Sequence, residues 1–506
     1  MSEISSKRQV TKNAIMLYVR MFFSMIVGLY SSRVILNTLG VTDYGIYNVV
    51  GTIVPIFGFL SNAMAGSISR FITYELGKGN IERLKRTFSS AIIVQLSIAL
   101  IIFILGEVVG LWFVNAKLVI PSERLYAANC ILQFSIVSIL LNIIQVPYNA
   151  CIIAHEKMGV YAYIEILNVI LKLLILYILV IGGFDKLILY GLLSLIVSII
   201  IMSSYRIYSI RKFEECHFKF VLDKDILKSM LTFSGYDLYG NICLTAKFQG
   251  IPFIINLFFG VVMNAAVGIV YTVTNVFRSF CGNILTAFRP QIVKNYAQEN
   301  YTDMSYMINL SIRMLLMLSI LIVLILIYNS QIVLELWLGK VPPMTSILLN
   351  IALIENLFAL LAESLRIGIN ATGKIKGYSF WNGTSLLLVI PFSYIALKFD
   401  SSPDIVFYIS LISQIGCSTI SLYYLKKVFP QYSVVLLFKI LFKVIFPLIV
   451  VLVFLFFIDF NTFPIFLRLL YSVGTIFFLY FISVYFTLAN SEKQYIKGYL
   501  YRKLGK

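Results

Sequence analysis

The chain has 506 residues, of which 60% are apolar and only 13% charged, with a mean hydropathy of +0.91. A soluble domain keeps about a quarter of its residues charged, so a soluble protein this apolar could not cover its surface, and lipid is the solvent the composition implies. The net charge of +18 sits in short clusters between apolar runs, as in the inner loops of membrane proteins, and this argues against nucleic acid as a partner.

The first stretch, MSEISSKRQVTKN, is polar and basic. The apolar run behind it carries Arg20 and Arg33 and no small-residue cleavage site, so it reads as a first membrane helix, not a signal peptide. A spanning helix needs about 20 mostly apolar residues. Such runs centre near Val27, Ile56, Ile101, Val137, Leu173, Ile196, Cys243, Val273, Leu321, Phe358, Leu388, Leu411, Val450 and Phe478. They predict an all-α polytopic membrane protein of about 14 transmembrane helices.

Basic residues set the orientation. KRQVTK, GKGNIERLKR (77–86), HEK (155–157), RKFEECHFKFVLDKDILK (211–228), KIK (374–376), Lys426-Lys427 and the tail 493–506 occupy alternate loops. The loops between them are short and poor in lysine and arginine: NTLGVTDY, VNAKLVIPSE, GGFDK, GKVPPMT, KFDSSPD and DFNTFP. The basic set is therefore expected in the cytoplasm, with both termini inside. Trp112, Trp337 and Trp381 stand at predicted helix ends, where tryptophan anchors to the interface.

The six cysteines form no C-x-x-C pair and lie mostly in apolar runs, where they read as small buried hydrophobes. The two histidines, His155 and His217, lie in polar loops. No metal site or cofactor is expected. Every predicted outer loop is short and no histidine lies in a membrane segment, so an enzyme is not expected either.

Three sequence matches recur in order. ISRFITYELGKGN (68–80) pairs with FRPQIVKNYAQEN (288–300), LWFVNAKLVIP (111–121) with LWLGKVPP (336–343), and AHEKMGVY (154–161) with ATGKIKGY (371–378). The offset of about 220 residues predicts two copies of one six-helix unit. An even helix number makes the copies parallel, and transporters built this way place substrate between the halves. The expected organisation is an N-terminal lobe at 1–210, a cytoplasmic linker at 211–228 and a C-terminal lobe at 229–430. Helices 13 and 14 and a basic cytoplasmic tail follow at 431–506.

SSRVILNTLGVTDYGIYNVV (31–50), SRFITYELGKGN (69–80), FFGVVMNAAVGIV (258–270) and INATGKIKGY (369–378) resemble the polysaccharide-exporting branch of the multidrug/oligosaccharidyl-lipid/polysaccharide flippase superfamily. The likeness is to O-antigen-type flippases of bacterial inner membranes. It implies two six-helix lobes in a V around a central cavity. It also implies translocation of an undecaprenyl-pyrophosphate-linked oligosaccharide to the outer leaflet by alternating access, beside other polysaccharide assembly proteins. A drug/cation antiporter of the same superfamily and a lipid II flippase are the alternatives.

Charged groups inside the bilayer are costly and therefore functional candidates. A diphosphate is matched by guanidinium forks. The candidate substrate contacts are Arg33, Arg70, Arg278, Arg289 and Lys247, with Arg70 and Arg289 at matched places in the two halves. Asp237, Glu165 and Glu355 are the ion-coupling candidates. Glu165 and Lys172 lie about two turns apart on one face. Gly235, Gly240, Pro252 and Gly282 interrupt predicted helices 7 and 8 and read as hinge or packing positions. The membrane potential, worth about 2.3 kcal/mol per charge per 100 mV, would assist outward movement of a diphosphate. No phosphate-binding G-x-x-x-x-G-K-[ST] loop is present.

Overall fold

The computed structural model describes residues 13, 15–24, 27, 43, 59–116, 120–181, 185–220, 223–339, 341–399, 402–457 and 464–487. Among these, every regular element is helical. The helices are α1 (Ile15–Ser24), α2 (Phe59–Lys78), α3 (Ile81–Ala116), α4 (Ser122–Ala154), α5 (Met158–Leu179), α6 (Lys186–Lys212) and α7 (Lys224–Gly260). After residues 261–297 as α8 come α9 (Tyr301–Tyr328), α10 (Thr345–Thr372), α11 (Lys376–Lys398), α12 (Asp404–Val428), α13 (Val434–Leu455) and α14 (Ile465–Thr487). Eleven of them are long and apolar enough to cross a membrane. Leu100, Val108, Ile412, Phe442 and Phe466 are more than half exposed, an outer surface suited to lipid and not to water.

Local chemistry explains where helices begin and break. Asn80 accepts the Arg83 amide at 3.0 Å and caps α3. Asp185 accepts the Leu187 and Ile188 amides at the start of α6, and Asp223 accepts the Ile226 amide at the start of α7. Each satisfies a donor that has no partner within its helix. The break between α7 and α8 is Gly260, with φ 74° and ψ −166°, a conformation open essentially to glycine alone. The two limbs fold back on each other, so that Phe248 meets the Tyr271 ring edge-on at 5.5 Å.

The chain forms two compact units: Met1–Leu238 with Thr286–Asn300, and Tyr239–Leu285 with Tyr301–Lys506. The two ends of the α7–α8 hairpin are thus built into the first unit, while its middle belongs to the second. In the first unit, Gly77 of α2 lies against α8 so closely that a Cβ there would stand 2.8 Å from the Ala297 Cβ and 3.1 Å from the Lys294 backbone. In the second, α10 runs through the core, with Gly368 pressed between Ile308 of α9 and Leu425 of α12. Small residues at such crossings let helices approach closely when lipid supplies no hydrophobic drive. Helix α14 attaches to this unit: Ser472 donates to the Asn329 side chain and Tyr480 to the Met317 carbonyl.

Polar contacts in the first unit sort the loops by side. Arg124 joins Asp43 and Asp185, tying together three loops expected to be external. At the opposite helix ends, Lys78 meets Glu299 at 3.3 Å, Lys85 meets Glu214 at 3.7 Å, and His155 Nε2 lies 2.6 Å from Glu215. Apart from Glu299, which follows the end of α8, these groups come from the basic loops.

Candidate functional site

The intramembrane charges expected from sequence separate between the units. Arg70, Arg289, Asp237 and Glu165 fall in the first, and Arg278, Lys247 and Glu355 in the second. Arg33 lies outside the described residues. So do Gly28, Pro55 and Gly58, which read from sequence as further hinge or packing positions in the first two membrane segments.

In the first unit, Tyr205 donates its hydroxyl to Glu165 at 2.8 Å. Arg20 donates to the Tyr161 hydroxyl at 2.7 Å, and the two tyrosine rings lie 6.5 Å apart. The acid and the base are thus each held by a phenol. Asp237 is 8% exposed, beside Gly66 of α2. Arg70 lies among aromatic faces, with its guanidinium carbon 4.7 Å from the Phe71 ring centre, 5.1 Å from that of Tyr74 and 5.7 Å from that of Phe233. Arg289 sits on the part of α8 that belongs to this unit.

The second unit holds the candidate site with the clearest chemistry. Arg278 lies half-buried in the middle of α8, its guanidinium carbon 5.8 Å from the centre of the Phe248 ring. Tyr271 packs on the same ring. No carboxylate among the described residues pairs with Arg278. A membrane-buried guanidinium placed over an aromatic face keeps its hydrogen-bonding edge available for an anion. Lys247 next to Phe248 is different, since its side chain is 3% exposed and its ammonium bonds Glu355 at 2.6 Å. The structure therefore brings two sequence candidates, Lys247 and Glu355, together as one internally neutral pair.

A further cluster lies at the basic-loop side of the first unit. Glu156, in a left-handed turn at φ 58°, accepts from Gln291 and, at 2.8 Å, from Lys294. The adjacent His155 stacks on Phe213 with ring centres 4.0 Å apart. Burial raises the Glu215 carboxyl, but bonds from His155 and its own backbone amide, with the charges of His155 and Lys85, bring it below the ordinary carboxylate value. Sequence reasoning treated HEK only as a basic loop. The signal it could have used is a carboxylate placed between a histidine and a lysine. Phe248 and Tyr271 carried no sequence signal, because an aromatic residue in a membrane helix looks like any other apolar one.

The MatE family model matches residues 14–178 and 242–395, one stretch in each half of the chain. The fold is shared with solved transporters. An outward-facing multidrug resistance MATE family transporter of the MOP superfamily superposes with a TM-score of 0.71 at 13% identity, over 85% of this chain and 97% of that one. A MOP superfamily transporter from Pyrococcus furiosus gives 0.68 at 12% identity, over 84% and 96%. The Vibrio cholerae MATE transporter VcmN in its bent form gives 0.67 at 15% identity, over 85% and 99%. No curated protein sequence matches the chain. The all-α, two-repeat fold and the transporter class both follow, and the chain belongs to the MatE family of membrane transporters.

Proposed function

We propose that this transporter carries an anionic, lipid-linked oligosaccharide across the cytoplasmic membrane of a bacterium, with the diphosphate engaging Arg278. The supporting observation is the contrast between bases and acids in the membrane helices. Arg278 rests on an aromatic ring with no carboxylate partner among the described residues. Glu107, Glu165 and Glu355 instead accept hydrogen bonds from Gln133, Tyr205 and Lys247. A cation carrier needs carboxylates open to its cargo, whereas an anion carrier needs an open guanidinium. Arg70 and Arg289 in the first unit, and Arg33, are the further proposed contacts.

A second reading, a drug or cation antiporter, is favoured by the family match and by the multidrug transporters among the structural relatives. The Pyrococcus furiosus relative bears on the choice, because its pocket is described as being of reverse polarity and suggesting a different function.

The test uses purified protein in liposomes carrying a fluorescent undecaprenyl-diphosphate oligosaccharide. R278A should slow translocation roughly tenfold, the equivalent of about 1.5 kcal/mol for one charge-assisted hydrogen bond. R278K should recover part of the loss, since lysine keeps the charge and loses the fork. Unchanged rates in R278A, R70A and R289A would remove the cationic reading.

A further inference from the structure

The pair Lys247–Glu355 joins the middle of α7 to the middle of α10 inside the second unit. Its ammonium and carboxylate are 2.6 Å apart, and the two side chains are only 3% and 15% exposed. The described groups that flank it from other helices are polar and uncharged. From α8, Tyr271 lies close enough to feel the Glu355 charge, and its buried hydroxyl has no hydrogen-bond partner among the described residues. From α12, Cys417 feels both members of the pair. Ser385 of α11 and Ser413 of α12 bond each other beside it.

A carboxylate so placed, with a phenolic oxygen close by, is a natural seat for a proton or a small cation. Carboxylate and hydroxyl oxygens are the ligands that hard monovalent ions accept, and burial strongly favours neutralisation. Here the seat is taken by an ammonium carried on the protein itself. An exchangeable ion would have to displace a covalently tethered one that is always present, so it competes poorly at any ordinary concentration.

We propose that Lys247 is a tethered cation that fills the Glu355 site, so that the second unit completes its transport cycle without exchanging a proton or sodium ion there. Any ion coupling in this protein then falls to other carboxylates, Asp237 and Glu165 of the first unit among them. This inference rests on the transporter fold and not on the identity of the cargo.

The experiment measures ion binding on the purified full-length protein, separately from any cargo. Radiolabelled sodium binding and the pH dependence of thermal unfolding are followed in detergent for the unmodified protein, E355Q, K247M and K247M/E355Q. E355Q should bind sodium as the unmodified protein does, since Glu355 exchanges nothing, while the ammonium it leaves unpaired lowers the unfolding temperature. K247M should gain a saturable sodium site, or a stabilisation on acidification, that K247M/E355Q lacks. Should K247M not fold, the exchanged pair K247E/E355K should restore folding and again show no added sodium site, and E355Q alone still decides the point. Loss of sodium binding in E355Q would overturn the proposal. So would a K247M protein that folds and gains neither.

Discussion

Arg278 and Glu156 are both charged groups withdrawn from water, and they differ in what surrounds them. Arg278 faces an aromatic ring, which attracts a cation without satisfying its donors. Glu156 is 7% exposed and saturated by Gln291 and Lys294. Removing Glu156 takes the acceptor from two partly buried donors, Gln291 and Lys294, at a cost of about 1 kcal/mol per hydrogen bond. E156A should therefore unfold at clearly lower temperature in detergent, and an unchanged melting curve would refute the buried clamp. The neighbouring Glu215 gives a pH prediction. Its carboxyl is lower in the folded protein than its ordinary value of 4.5, so the folded state gains stability from its charge above that pH. The gain is lost as the pH falls below 4.5 and through the folded value. E215Q should flatten this acid limb of a stability-against-pH curve, and an identical limb would contradict the assignment.

At the scale of helices, the glycines divide by what a side chain would meet. A Cβ on Gly77 would collide with Ala297 and with the Lys294 backbone, which cannot rotate aside. G77V should cost about 1–3 kcal/mol through overpacking, read as a lower unfolding temperature. Gly235 and Gly282 are different, with nothing within 4 Å of an added Cβ. G235A and G282A should leave stability unchanged or raise it by roughly 0.5–1 kcal/mol, the helix preference of alanine over glycine. If these glycines serve bending, as their place in α7 and α8 suggests, transport slows while the melting temperature holds. Unaltered transport in both variants would reduce them to neutral positions. Gly260 stands apart, because its positive φ makes any side chain strained.

Across the whole molecule, the features readable in sequence are those set by solvent. Apolar run length marks the helices, and lysine-poor loops mark one side, which Arg124 confirms by collecting Asp43 and Asp185 there. Repeat order anticipated the family match to both halves. What depends on one helix choosing another was not readable. Lys247 and Glu355 are far apart in sequence and appeared as separate candidates, one for substrate and one for ions. Nor could hydropathy show that the ends of α7 and α8 fold with the first unit. The side on which the basic loops lie is open to direct labelling. Single cysteines placed near Lys78 and Lys157 in an otherwise cysteine-free chain should resist membrane-impermeant reagents in intact cells, and one near Glu123 should react. The opposite pattern would reverse the orientation expected from the positive loops.

The cargo is decided most directly in liposomes bearing the purified protein. Movement of a fluorescent undecaprenyl-diphosphate oligosaccharide is compared with uptake of a cationic dye in the same preparation. Translocation of the lipid-linked sugar, slowed in R278A, with no dye movement driven by a proton or sodium gradient, is the expected result. Dye antiport driven by such a gradient, with the glycolipid left in its original leaflet, would contradict an anionic cargo.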